Sequence, residues 1–389
     1  MQQAVEAIAN HVFVFLEIFE CEGGIQSYVK DILKGYLALV EPSGQEQTPS
    51  LLTSEVFLLR DGPGCHNPFE SDVLKFHYLK TKPPVLGRAR LAIALLACLL
   101  RKRPQRVFCG HINLAPLVQV LCQPLGIPYT ILTYGKEVWE PLSQRDQIAL
   151  RQAASIWTIS RYSRDRLCAA NDVNPQQVQI LPCAVDGDQF TPGAPSPALT
   201  ERYGLVDAKV LMTVSRLWLG DIYKGVDVTI QALPAIAQVF PTIKYLVIGR
   251  GDDQPRLAQL AQDLGVADRV IFAGFVSTAT LGEHYRLANA YVMPSQEGFG
   301  IVYLEAMACG VPVLAGNADG SADPLQDGRL GWQVPHRNPD AVATACIEIL
   351  QGQDCRCNGA WLRQEALALF GTTAFTQRLK ALLMPISAH

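Results

Sequence analysis

Short apolar runs and longer amphipathic stretches take turns along this chain. The short runs, bounded by Gly, Pro, Asn, Asp or Ser, predict strands over His11–Phe19, Glu55–Arg60, Val107–His111, Tyr129–Tyr134, Ile156–Ser160 and Val178–Ala184. In the second half they predict strands over Val210–Ser215, Lys244–Gly249, Val270–Ala273, Tyr291–Pro294 and Val313–Ala315. Helical periodicity falls between most of them, at Ile25–Leu39, Arg88–Leu100, Leu114–Leu121 and Arg161–Ala170, then at Val226–Phe240, Arg256–Leu264 and Gly300–Cys309. Such alternation predicts parallel sheets wrapped by helices. The proline-rich stretch Phe190–Pro197 suits a linker, so the chain reads as α/β with two doubly wound domains.

Open parallel sheets bind ligands beyond the carboxyl ends of their strands. The distinctive residues of both halves fall there. Gly23 and Gly24 follow the first strand, His111 ends a later one, and Arg216 comes directly after Val210–Ser215. Gly249, Gly251 and Gly274 occupy equivalent positions, and two such domains facing each other would enclose a cleft lined by these residues. The densest signal is Glu297-Gly298-Phe299-Gly300-Ile301, where a predicted strand hands over to a helix that carries Glu305. Unpaired N–H groups and the positive helix end can hold a phosphate at such a junction. Eight residues of helix turn through about 800°, about 80° past two full turns, so Glu305 projects near the side on which the loop carries Glu297. A phosphate cradle flanked by two carboxylates suits a ligand with hydroxyls on both sides of its phosphates, such as a nucleotide sugar.

Composition narrows the reading. With 389 residues, 49% hydrophobic, the chain has material for two globular domains. A net charge of −3 gives no case for nucleic acid. The longest apolar run, Leu91–Leu100, is half of what a bilayer requires, so no transmembrane helix is expected. No Lys or Arg precedes the first apolar stretch, which argues against a signal peptide. Most of the eleven cysteines lie in apolar patterns, where a thiol packs as a small hydrophobe. The odd total favours reduced thiols in the cytoplasm. Cys355-Arg356-Cys357 is too tight for usual zinc spacing, and no metal site is expected.

Taken in order, the motifs resemble retaining glycosyltransferases of family 4. They are Gly23-Gly24-Ile25; Ile159-Ser160-Arg161, then Leu181 to Asp186; Ser215-Arg216-Leu217 with Lys224-Gly225-x-Asp227; Ile248 to Gly251; Phe272-x-Gly274; and the Glu297/Glu305 pair with Ala306 to Pro312. The resemblance runs from about Phe13 to the C-terminus. It implies the GT-B architecture, two Rossmann-like domains facing a central cleft: residues 1–195 acceptor-binding, 196–368 nucleotide-sugar-binding, and 369–389 a C-terminal helix packing back toward the first domain.

By resemblance, Arg216 and Lys224 clamp the donor diphosphate, neutralising charge as the nucleoside diphosphate leaves. Neither is assigned to a core. N–H groups around Gly298, Phe299, Gly300 and Ile301 add to the clamp. Glu297 matches the position that contacts donor-sugar hydroxyls, and Glu305 the one that holds the ribose. Gly249, Gly251 and the Phe275-Val276 backbone lie where the family seats the base. His111 matches a histidine that reaches the donor sugar, and Gly23 and Gly24 let the first loop approach phosphate and acceptor. No cofactor or metal is implied, because the cations and the helix end supply the positive charge. Expected partners are a nucleotide-sugar donor and a hydroxyl acceptor.

Three departures bear on substrate identity. Tyr134-Gly135-Lys136-Glu137 stands where the family often has His-Gly, Cys183-Ala184 replaces the usual Asn-Gly, and Asp319-Gly320-Ser321-Ala322-Asp323 stands for Gly-Gly-x-x-Glu. An inactive nucleotide-sugar- or glycan-binding subunit is the competing function; loss of the clamp or the Glu pair would favour it, and both are present. A phosphorylase of similar architecture would need a pyridoxal phosphate lysine, which no motif marks. Finally, Val73–Arg106 holds nine Lys or Arg and no Asp or Glu around its apolar helix. That segment predicts either peripheral contact with the inner face of an anionic membrane or a half-buried helix whose basic last turn suits its dipole.

Overall fold

The computed structural model describes residues 10–40 and 53–384. The residues on which the leader argument rests, 1–9, and the end of the expected terminal helix, 385–389, lie outside the described residues. The chain divides into two compact units, Met1–Cys183 with Thr373–His389, and Ala184–Thr372.

The first unit is built on a seven-stranded parallel sheet. Its strands are β1 (His11–Phe15), β2 (Ser54–Leu58), β3 (Leu74–Tyr78), β4 (Arg106–Cys109), β5 (Tyr129–Leu132), β6 (Ser155–Thr158) and β7 (Val178–Ile180). They lie in the order β3-β2-β1-β4-β5-β6-β7. β1 is buried along its whole length, as a strand covered on both faces must be. Helix α1 (Gly24–Val40) covers one face with Tyr28, Val29, Ile32, Leu33 and Tyr36, neighbours on one side at helical spacing. α2 (Pro84–Lys102) starts with proline at its first turn and ends at left-handed Arg103, whose N–H bonds back to Leu99.

In this unit, two elements escape the sequence pattern. β3 is an edge strand, and its Lys75 and His77 break up the apolar run. Helix α4 (Gln144–Gln152) follows α3 (Ala115–Cys122) and is mostly polar, but Ser143 caps it by accepting from the Asp146 N–H. Ser-x-x-Asp is a helix-start signal that periodicity alone passes over.

The second unit carries a six-stranded parallel sheet: β8 (Lys209–Val214), β9 (Ile243–Ile248), β10 (Val270–Gly274), β11 (Ala290–Met293), β12 (Val313–Gly316) and the short β13 (Trp332–Val334). The order is β10-β9-β8-β11-β12-β13. In both sheets the order reverses beside the first strand, between β1 and β4 and between β8 and β11. Such a reversal opens a crevice at the carboxyl ends, because the helices on either side leave in opposite directions.

The proline-rich stretch differs from the linker expected around residues 190–197, and the boundary falls earlier, at Cys183/Ala184. Residues 190–197 belong to the second unit: Arg286 donates to the Thr191 carbonyl and hydroxyl, and Phe190 is buried against Tyr285. At the other end, the helix Thr372–Leu383 starts at the border and packs in the first unit, with Phe375 on Tyr28 and Arg106 donating to the Leu382 carbonyl. Among the described residues no helix is long and apolar enough to cross a membrane.

Candidate active site

The reversal between β8 and β11 sets the site of the second unit. Beyond β8 the chain runs as Ser215-Arg216-Leu217, held against the loop after β9 by backbone bonds from Ser215 to Ile248 and from Leu217 to Arg250. Glycine is required at this contact. A Cβ on Gly249, whose φ is +139°, would lie 1.8 Å from the Ser215 carbonyl oxygen, and one on Gly251 would lie 2.0 Å from that of Leu217. Both glycines thus have a local reason, the close passage of two backbones, besides the ligand-facing one expected from sequence.

Arg216 leaves this junction half-exposed. Its guanidinium stacks over the Trp218 ring at 4.6 Å and stands 3.1 Å from the Asp221 carboxylate. A short 3-10 turn, Leu219–Lys224, then leads into helix α7 (Val226–Val239), which follows α5 (Arg161–Asn171) and α6 (Pro197–Arg202) in the chain. Lys224, at the end of that turn, forms an ion pair with Glu297. Burial opposes the lysine's charge, but Glu297 outweighs it and raises the ammonium above its usual range.

Glu297 sits in the loop after β11, and that loop is pinned from behind. Asp319 accepts the Glu297 N–H at 2.5 Å, and the Gly320 N–H donates to the Glu297 carbonyl at 2.8 Å. A Cβ on Gly320 would stand 2.0 Å from the Gly298 carbonyl oxygen, so the family departure at 319–323 keeps one glycine and adds a buried carboxylate. Burial pushes Asp319 up to about 6, against its bonds from Ser321 and Glu297. Sequence reasoning saw this segment only as a deviation; its signal is Asp319-x-Ser321, an aspartate that caps its own turn.

The loop closes into helix α10 (Ile301–Ala308), after α8 (Gln254–Asp263) and α9 (Thr278–Tyr285). Gly300 stands at its start with φ +90°, and no side chain caps it. The positive helix end and its N–H groups therefore remain for an anion. Phe299 itself is core, edge-on to Phe370, so only its backbone can face a ligand. Cys309 and left-handed Gly310 end the helix where the sequence places its stop.

Glu305 points inward. It is 8% exposed, accepts from the Tyr285 hydroxyl at 2.7 Å, and is pushed up to about 7 by burial, with that hydrogen bond opposing. Burial raises the Tyr291 hydroxyl well above its usual range, and the Glu305 and Glu297 charges add to that. Further along the edge, Gly274 turns with φ +75° and bonds to the Gly249 N–H, followed by Phe275 and half-buried Val276. The exposed Phe275 ring lies under the Arg250 guanidinium at 5.1 Å.

The remaining expected residues, Gly23, Gly24 and His111, belong to the first unit, where β1 and β4 diverge. Asp61 pins the loop after β1 by accepting the N–H groups of Ile18, Phe19 and Glu20, and Gly24 opens α1 with free space where a Cβ would stand. His111 is half-buried, and its Nδ1 accepts from the Asn113 N–H at 3.1 Å. Burial lowers its pKa, with Arg60 acting in the same direction and Glu17 against. The ring is thus neutral with its proton assigned to Nε2. At the Tyr134–Glu137 departure, the Glu137 carboxylate accepts the Tyr134 and Gly135 N–H groups, and the Tyr134 hydroxyl donates to the Gly110 carbonyl. The loop is tied to itself and to the residue before His111.

Residues 208–352 match the sequence profile of the glycosyl transferases group 1, and they span the described site of the second unit. That stretch is similar to the group 1 glycosyl transferases. The chain is 36% identical over 231 residues to a GDP-mannose-dependent α-(1-6)-phosphatidylinositol monomannoside mannosyltransferase of Mycolicibacterium smegmatis, covering 56% of this chain and 59% of that protein. It is 29% identical over 335 residues to a D-inositol 3-phosphate glycosyltransferase of Geodermatophilus obscurus, 82% of this chain and 68% of the other. The chain thus spans about three-fifths of the length of the first of these relatives. The fold matches that of HepE from Anabaena, solved with UDP, at a TM-score of 0.76 and 19% identity over 96% of this chain and 99% of that one.

Proposed function

We propose that this chain moves a sugar from a nucleoside diphosphate sugar to a hydroxyl acceptor with retention of the anomeric configuration. One observation carries the reading: at the switch point of the second unit, Lys224 pairs with Glu297 in the loop that leads to an uncapped helix start, and Arg216 follows the neighbouring strand β8. The bond from C1 of the sugar to the phosphate oxygen breaks, and the acceptor oxygen bonds to C1 on the same face. The acceptor proton goes to the departing phosphate. Two cations and the helix N–H groups take up the charge that develops, so the scheme needs no metal. Glu297, its backbone fixed by Asp319, orients the sugar. On the first unit, the neutral His111 ring presents an Nε2 proton suited to a sugar hydroxyl. Similarity to GDP-mannose-dependent enzymes favours GDP-mannose as donor and an inositol-bearing or lipid-linked acceptor.

Nucleoside diphosphate release from a panel including GDP-mannose and UDP-glucose, with and without EDTA, tests this. Release should be greatest with GDP-mannose and unaffected by chelation, and the product should keep the donor's anomeric configuration. Failure with every donor, while nucleotide still binds, would leave a binding subunit as the better account. An EDTA-sensitive rate restored by Mg²⁺ would overturn metal independence.

Glu305 adds a pH signature. Its folded carboxyl holds its proton well above the ordinary 4.5, so its contribution to stability is complete below that value and lost as pH rises through about 7. Ribose hydroxyls donate to the ionised form. Affinity for GDP should therefore increase as pH rises through about 7, and Glu305→Gln should flatten that increase in calorimetry under matched buffers. An identical pH profile in the variant would remove the ribose role.

In the basic segment, the half-buried helix is seen, and an exposed apolar row on it supports the membrane reading. Helix α2 buries Gly87, Leu91, Leu95, Cys98 and Leu99, yet Leu86, Ile93 and Leu100, each seven residues apart on one face, are 54%, 70% and 52% exposed. Not all nine cations are available, however. Lys102 and Arg101 turn to the buried Glu55, Lys80 to Glu20, Lys75 to Asp72, and Arg106 to the Leu382 carbonyl. Exposed Arg88 and Arg90 remain beside the apolar row, and the chain is proposed to rest it on an anionic membrane. It should sediment with anionic but not neutral liposomes at low salt, and Arg88→Glu with Arg90→Glu should abolish this. Equal partition with both vesicles, or none, would reject the contact.

A further inference from the structure

We propose that Asp221 is the counter-charge that holds Arg216 in the ligand-free site and sets how tightly the nucleoside diphosphate is kept. The inference rests on the reading of Arg216 and Lys224 as a diphosphate clamp. Each of those cations already has a carboxylate beside it, Asp221 for Arg216 and Glu297 for Lys224. The two are held differently. Glu297 is fixed through its own backbone by Asp319 and Gly320, and its carboxylate bonds directly to the ammonium.

Asp221 sits in the 3-10 turn Leu219–Lys224 at a non-helical φ of −108° and ψ of 21°. Its side chain is only 10% exposed, and its Oδ2 stands 3.1 Å from the guanidinium. That oxygen nevertheless accepts no hydrogen bond among the described residues, because the guanidinium N–H is not aimed at it. The pair is thus a charge contact without the directed bonds that make Arg–carboxylate pairs strong. A diphosphate, with several oxygens and more charge, can take Arg216 from it.

Two neighbours make the exchange reversible. Trp218 holds the guanidinium face whichever anion it meets. The recess that Asp221 lines is also lined by Lys224, whose ammonium feels the Asp221 charge. A carboxylate that competes for Arg216 weakens nucleotide binding and favours release of the product. The same residue also reduces the like-charge repulsion between Arg216 and Lys224 while the site is empty.

Calorimetric titration of the full chain with GDP and UDP tests this. Asp221→Asn should bind the nucleoside diphosphates about tenfold tighter, while Asp221→Glu should bind as the unaltered chain does. The gain should vanish in the double variant Arg216→Ala/Asp221→Asn, because Asp221 acts through Arg216. Loss of a structural residue gives no gain in affinity, so tightening is specific to this role. Equal or weaker binding by Asp221→Asn, with an unchanged unfolding midpoint, would overturn the proposal. If that variant unfolds early, Asp221→Ser serves the same comparison. A chain that binds neither GDP nor UDP would defeat the reading of the clamp itself, and this inference with it.

Discussion

Arg216→Ala should lower turnover by about two to three orders of magnitude, the scale seen when one preorganised donor to a developing negative charge is removed. The side chain is 57% exposed, so folding should be untouched and the unfolding midpoint unchanged. Lys224→Ala should cost as much in turnover but behave differently in stability. Its side chain is 16% exposed and paired with an equally buried Glu297, contrary to the sequence expectation that neither cation lies in a packed region. Removing one member of such a pair strands the other, at about 3–5 kcal/mol for a fully buried case and less here. Steady-state kinetics beside thermal unfolding separates the two effects. Near-normal turnover in both variants would sink the mechanism; an unshifted midpoint in Lys224→Ala would mean the pair does not hold the loop.

Gly249→Ala should prevent the second unit from folding properly, with a loss of more than about 4 kcal/mol. Two causes add. The backbone φ of +139° is one that residues with a side chain rarely adopt, and the new Cβ would stand 1.8 Å from the Ser215 carbonyl oxygen. No side chain can yield there, because the obstructing atom is main chain. Gly274→Ala is the useful comparison. Its φ of +75° is also left-handed, but nothing lies within 4 Å of its Cβ, so it should cost only about 1 kcal/mol. Similar unfolding midpoints for the two variants would refute the steric account.

The sheet strands were legible because covered parallel strands leave near-continuous apolar runs, and Arg216 stood out as a candidate because it comes just after one of them. What stayed hidden has a physical pattern. β3 and β13 are edge strands, one interrupted by Lys75 and His77 and the other three residues long, and neither carries a run long enough to read. Asp221 and Asp319 act through partners brought together only by folding, and an isolated aspartate in a loop looks like any solvated charge. The unit border was misplaced because proline marks stiffness and exposure of a segment, not which core it packs on. Arg286 and Arg363 decide that by binding the carbonyls of 190 and 191, contacts with no local signature.

At four points the loops at the carboxyl end of the second sheet touch through main chain, carbonyl oxygen against a glycine without a side chain: Gly249, Gly251, Gly316 and Gly320. Such contacts have no rotamers to freeze. The loss of conformational entropy that ordering a ligand loop entails therefore falls on folding, before any nucleotide arrives. These loops should already resist amide hydrogen exchange in the empty protein, and nucleotide should add protection chiefly at the 219–224 turn. The part of the site that must yield is thereby separated from the part that must hold still.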